Sequence, residues 1–379
     1  LGLALPLGMH SLYNKLLPPA RFDLDLDEVW ITPDPNGGKN IDIKGSAKLE
    51  QCDLKIYGAA ATFDANLVID QLTVTPADNG ERHIDVNIVA SLENCSLPIS
   101  GAKAELDAIL KIEGLYKTNN DFQNCRLTLE GQGFKILGKT FENLKADIRY
   151  HPEIQTWASR SLTADCYGGK LIGKLQFSKK PDTILGYTLQ TSFLNVDLKK
   201  FLSDTRMASD RGNDYTTGKM EGYLNIGATL GDNDSRLGTC KLSIVDMQVG
   251  RVSPLAKLLQ VLRFSEPTKF AFDKMFLDSY IKADDLIVKK LDLAGKSAAF
   301  YGSGLMDLRT LKIDLGLIAR GKRLATADPS IIGSLAEGLG RAVVKIEVIG
   351  DFYDPQVITT PLPFIKGTLD ILGKPIDPK

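Results

Sequence analysis

The sequence predicts a mainly β protein: an elongated, curled antiparallel β-sheet groove (trough) with a few short α-helices. Three observations carry that expectation. Apolar and polar residues alternate along most of the chain, the period of a strand with one dry and one wet face. Clusters of Gly, Asn, Asp and Pro separate the alternating runs, as hairpins joined in sequence require. Segments of helical period are too few to stand between every pair of strands, which disfavours parallel α/β units. They are also too few to cover the apolar side. The sheet must therefore close on itself, wind as a β-helix, or curl into a trough whose inner face is filled by acyl chains.

Taken in order, residues 9–17 place Met9, Leu12, Leu16 and Leu17 on one helical face before Pro18-Pro19 stops the turn. Asp23, Asp25, Asp27 and Glu28 alternate with Leu24 and Leu26. Without a glycine at the sixth position this is a strand with an acidic outer face and not a calcium loop. Beyond the turn at Thr32–Gly38, Ile41, Ile43, Ala47 and Leu49 oppose Asp42, Lys44, Ser46 and Lys48. The pattern recurs at Ile84, Val86, Ile88 and Ala90, and at Leu106, Ala108, Leu110 and Ile112. It returns at Leu144–Tyr150, Leu224–Leu230, Leu311–Leu317 and Val344–Val348. Short helices are expected at 196–205, at 254–263 behind the Ser253-Pro254 start signal, and from Pro329-Ser330 to Gly340, while 363–372 is open between strand and helix.

Charge and composition narrow the function. Basic and acidic residues number 46 and 47, a net charge of -1, so binding a polyanion is not the main business of this surface. At 7% aromatic residues the chain is thin for stacking sugars or bases. His10, His83 and His151 share no motif, and no nucleophile elbow, phosphate loop or zinc helix occurs. Cys52, Cys95, Cys125, Cys166 and Cys240 lack metal-ligand spacing and read as ordinary thiols. Asp284 and Asp285 adjoin on an expected strand and so face opposite ways, which argues against a glycosidase pair. Arg320, Lys322 and Arg323 read as a solvated loop or, more sharply, as a contact to lipid phosphates or a partner protein. The chain is therefore expected not to be an enzyme, with no catalytic residue, metal or cofactor. No apolar run approaches the roughly 20 residues of a bilayer span, and the expectation is a soluble body whose anchor or targeting segment precedes Leu1.

Two sets of residues are the candidate site. Leu106, Leu110, Ile112, Ile148, Leu175, Leu224, Ile226, Ile313 and Leu315 are expected to line the inner face. Leu255, Leu258, Leu259 and Leu262 form one stripe of the helix at 254–263, which either plugs the trough or lies on a membrane.

Residues 162–177 read LTADCYGGKLIGKLQF, followed by YTLQTSFLNVDLKKFL and TTGKMEGYLNIGATLG. Downstream come GTCKLSIVDMQVGRVSPLAKLLQVL, YIKADDLIVKKLDLAGKSAAFYGSGLMDLRTLKIDL and VVKIEVIGDFYDPQV. This ordered set, over about residues 140–360, resembles the C-terminal region of the AsmA-like family, related to TamB and the bridge-like lipid-transfer proteins. The resemblance implies a module at 141–379 continuous with a β-groove module at 1–140. It further implies a periplasmic protein of a Gram-negative-type bacterium, anchored in the inner membrane, that conducts phospholipids or supports outer-membrane lipid homeostasis. Acyl chains and envelope proteins are the implied partners; nucleic acid is not. Rival readings are a non-catalytic scaffold or binding protein of the envelope, a carbohydrate-active β-helix enzyme and an outer-membrane barrel.

Overall fold

The computed structural model describes residues 16–17 and, apart from short turns, 21–204, 216–249, 271–321 and 343–361. Nearly all of them are in antiparallel strands, so the mainly β, antiparallel expectation holds. By internal contacts the chain divides into two compact units, Leu1–Ser209 with Glu221–Thr239, and Asp210–Met220 with Cys240–Lys379.

Unit 1 is a meander. A two-residue strand β1 (Leu16–Leu17) and the long β2 (Arg21–Pro33) both pair with β3 (Lys39–Ile56). The ladder continues, each strand pairing with the next, through β4 (Ala59–Pro76), β5 (Arg82–Ile99), β6 (Ala102–Lys117), β7 (Asp121–Ile136), β8 (Lys139–His151), β9 (Thr156–Cys166), β10 (Gly169–Lys179) and β11 (Leu185–Asp197). Pairing passes residue 140 without interruption, because β7 and β8 form one hairpin. A single turn of 3-10 helix (Pro152–Ile154) joins β8 to β9, and Tyr167 and Gly168, both at positive φ (48° and 78°), make the tight turn between β9 and β10. β12 (Thr217–Thr229) and β13 (Asp232–Gln248) have residues in both units.

Unit 2 is a second meander: β14 (Ala271–Lys282), β15 (Asp285–Gly295), β16 (Ala298–Asp307), β17 (Lys312–Gly321), β18 (Val343–Asp351) and β19 (Pro355–Pro361). Its core is large side chains: Phe272, Leu293, Phe300 and Ile346 are no more than 1% exposed. Phe272 and Phe300 meet edge-on at 6.0 Å. Gly302 lets β16 and β17 approach closely, since a Cβ there would lie 2.3 Å from the Gly316 carbonyl oxygen and 2.4 Å from Leu317 Cδ2.

One helix is present among the described residues, α1 (Leu198–Ser203), within the expected 196–205 segment; the Asp197 carboxylate caps it, accepting from Lys200 N at 3.0 Å. No described helix is long and apolar enough to cross a membrane. Local expectations fail at three places. Leu16 and Leu17 are strand, drawn into pairing with Leu54 and Asp53, and not the end of a helix. Asp284 sits in the β14–β15 turn while Asp285 opens β15, so the two are not neighbours on one strand. Arg320 belongs to β17 and not to a loop, because its backbone pairs with Ala299 and Val343. The rest of helix 9–17, the helix at 254–263 with its four leucines, that after Pro329, Lys322, Arg323 and the 363–372 segment lie outside the described residues.

Candidate functional site

Directly opposed residues of paired strands share a face, so the registers of unit 1 trace rows across the sheet. One row crosses ten strands: Leu24, Ala47, Leu67, Ala90, Leu110, Leu129, Ala146, Leu162, Gly173 and Thr191. Its neighbour runs Leu26, Gly45, Ile69, Ile88, Ile112, Leu127, Ile148 and Ser159. There is not one charged side chain in either row. Small residues form the floor, with Ala65 and Ala90 each 2% exposed, Ala146 4% and Ala47 6%. The leucines between them, Leu67, Leu110, Leu129 and Leu162, stay half-buried. Aliphatic ridges thus rise from a dry floor.

Four β-bulges of one pattern shape this surface. Each has an apolar residue, a spacer, an Asn or Gln at positive φ, then a second apolar residue: Leu49–Cys52, Leu92–Cys95, Phe122–Cys125 and Phe141–Leu144; the same pattern, with Asn195 and Asp246 at positive φ, recurs at Phe193–Val196 in unit 1 and at Ile244–Met247 in unit 2. The third residue of each has φ of 52–54°, a left-handed conformation that Asn and Asp adopt at little expense. The extra residue returns the fourth to the same face as the first. Cys52, Cys95, Cys125, Leu144, Val196 and Met247 are accordingly all buried. Bulges also increase local twist and bend the strand. At the Cys125 bulge the opposing residue must be Gly114 (φ 142°), since a Cβ there would fall 2.5 Å from Cys125 Cα.

The bulges are pinned from the wet face. Asp64 accepts the Gln51 backbone N–H at 2.7 Å and Asn94 Nδ2 at 2.9 Å, and those two contacts, the backbone one foremost, hold its carboxyl below the usual range. Asp107 likewise accepts the Asn94 N–H at 2.9 Å. Further along, Arg126 grips Asp147 through two bonds of 2.9 and 3.1 Å, which lower the Asp147 pKa. Two shallow clefts, about 480 and 260 Å³, open beside the Asn94 and Gln51 bulges and are rimmed by carboxylates. No cluster of His, Cys, Asp or Glu among the described residues could hold a metal.

At one rim of unit 1 a polar knot fastens α1. Lys139 Nζ donates to the Phe201 carbonyl and lies 4.2 Å from the Phe201 ring centroid, and Tyr167 donates to Asp204, which also accepts the Thr140 N–H at 3.1 Å. Burial lowers the Lys139 pKa and raises that of Tyr167; it also pushes the Cys166 thiol up to about 11. Burial raises the Cys52 and Cys95 thiols too, so none of these three is an activated nucleophile.

Leu106, Leu110, Ile112, Ile148 and Leu175 sit on the aliphatic side of unit 1, Leu106 at 8% exposure and the others half-buried. Leu175 N donates to Ser159 Oγ at 2.6 Å. Leu224 and Ile226 are half-buried on β12, alternating with Tyr223 and Asn225. Ile313 (5% exposed) and Leu315 lie on the apolar face of unit 2, in the rows of Met306 and Val348. Sequence reasoning missed the bulge residues; it set Ala47, Ala90 and Ala146 on the apolar side but left them out of the lining. The signal for the bulges is a two-residue break in alternation whose second member is Asn, Gln or Asp. Comparison of the chain with protein-family models, with curated proteins and with solved structures finds no match in any of the three.

Proposed function

We propose that the aliphatic face of unit 1 holds acyl chains and lets phospholipids move along it, in a non-enzymatic protein of the AsmA-like kind, periplasmic and anchored to the inner membrane. The observation that supports this most is the row from Ala47 to Leu162, in which the half-buried Leu67, Leu110, Leu129 and Leu162 stand among the buried Ala47, Ala90 and Ala146 across successive strands without a charge. Each methylene moved from water onto such a surface gains about 0.8 kcal/mol. A face of leucine and isoleucine has neither the hydrogen-bond donors nor the aromatic slots that would fix one ligand in one pose, which suits sliding rather than locking.

Native mass spectrometry of the purified protein, with lipid extraction, tests the reading directly. Co-purifying phospholipid is expected. Photo-crosslinkers at Leu110 and Leu129 should capture it, whereas those at Asp107 and Lys111 on the wet side should not. Ile226→Asp should reduce lipid passage, because a carboxylate among acyl chains is costly to desolvate. Lipid-free protein, or equal labelling of the two faces, would overturn the assignment.

A further inference from the structure

Where the aliphatic rows reach β2, the sheet ends in a second feature, the backbone edge of that strand. β2 pairs with β3 and, among the described residues, with no strand on its other side. All 13 of its residues are exposed. Leu24 and Leu26 are each 40% exposed, although their row-mates Ala47 and Ile69, one and two strands inward, are each 6% exposed. Val29 and Ile31 reach 49% and 59%. An open backbone edge therefore coincides with exposed apolar side chains, the combination that an added strand covers.

The opposite face of β2 states the chemistry of that strand. Asp23, Asp25 and Glu28 point to it, with Asp27 at the register shift between Leu26 and Glu28. Glu28 is paired with Lys44 of β3 at 3.2 Å, but Asp23, Asp25 and Asp27 make no ion pair among the described residues. β3 shows what β2 already accepts: Lys48 opposite Asp23, Lys44 opposite Glu28, and Ala47 and Ile43 opposite Leu24 and Val29. A second copy of β2 fits badly, because antiparallel pairing would set one acidic face against the other, and opposed like charges destabilise a ladder. We propose that the free edge of β2 accepts an extended segment of a different protein, one whose side chains alternate between aliphatic and basic, as an added strand of the sheet.

The probe is a fluorescent peptide of the length of β2 that alternates Lys with Val and Ile, titrated into the purified protein beside a control peptide with Glu in place of Lys. The Lys peptide should bind saturably and more weakly in high salt, and should slow amide exchange across 21–33 while leaving the edge strand β19, which carries no acidic residue, unchanged. Asp23→Asn with Asp25→Asn, which remove charge at exposed positions without setting a lysine opposite Lys48, should weaken binding at least about threefold. Equal binding of the Glu peptide, unchanged affinity of the variant, or unaltered exchange at 21–33 would overturn the proposal. Slow exchange at 21–33 in the free protein would show an edge already covered, and a concentration-dependent dimer that protects the same strand would identify a second copy as the occupant; either result overturns it as well.

Discussion

Units 1 and 2 solve the same problem, an antiparallel sheet with one apolar side, with different weights of residue size. In unit 2 the most buried side chains are large, Phe272, Leu293, Phe300 and Ile346. In unit 1 the buried set leans to small residues, Ala47, Cys52, Ala65, Ala90, Ala104 and Cys166 beside the larger Val74, Val196 and Leu198, and Leu67, Leu110, Leu129 and Leu162 stand half clear of it. A sheet whose largest apolar groups are buried has spent its hydrophobic surface on itself. One that buries alanine and leaves leucine accessible keeps that surface for something else.

The sharpest way to break this comparison is truncation on both sides of it. Phe300→Ala should cost about 3–5 kcal/mol, read by denaturant unfolding, because it empties a closed site. Leu67→Ala should cost less than about 2 kcal/mol, since a half-exposed leucine loses only part of its transfer energy. Equal losses would mean that the unit 1 face is as closed as the unit 2 core.

Next in size is the bulge. Asn94→Val forces a β-branched residue into the left-handed region and removes the contact of Asn94 Nδ2 to Asp64, for an expected loss of about 1–2 kcal/mol in thermal or chemical unfolding. Asn94→Gly, which keeps the conformation, should stay much closer to the parent. If the two variants behave alike, the bulge is held by its surroundings and not by Asn94.

The smallest effect belongs to the wet face of unit 1. The Asp147 pKa is lowered in the folded protein by its hydrogen bonds from Arg126, so the resulting stabilisation is fully present above the unfolded value of about 3.9 and is lost as pH falls through the folded value. Arg126→Met should therefore lower the melting temperature slightly at neutral pH, and its gap from the parent should close in acid. A gap that is constant with pH would assign the loss to packing of the arginine stem.

The alternation that marks β5 and β6 is legible because each residue there meets one dry and one wet neighbour. It fails at Leu92-Glu93-Asn94-Cys95, where two polar residues stand together and a period-two reading ends the strand; the chain instead absorbs the extra residue as a bulge and continues to Ile99. The α1 segment was legible from Leu198, Phe201 and Leu202, but the Lys139, Tyr167 and Asp204 contacts that fasten it join residues 37 to 64 positions apart in sequence and have no local signature. Two Tyr-Gly dipeptides in the sequence show the same limit. Tyr167-Gly168 is a turn, whereas Tyr301-Gly302 lies mid-strand where glycine clears room for Leu317, so one dipeptide serves two unrelated backbone needs. Of the lining, the large residues were legible, and so was the side of Ala47, Ala90 and Ala146; that these alanines form the floor was not, since only the register sets them between leucines.

The buried thiols of unit 1 have a consequence for redox chemistry. Thiol exchange proceeds through the thiolate, and a group with a pKa of about 11, as at Cys166, supplies roughly one thiolate in ten thousand at pH 7. Cys52 and Cys95 are shifted the same way, Cys52 with no exposure and Cys95 with 6%. At these positions the protein gains a side chain small enough for a bulge and apolar enough for a dry surface, while its sulfur exchanges slowly. Sulfur serves there as packing material and not as a reagent.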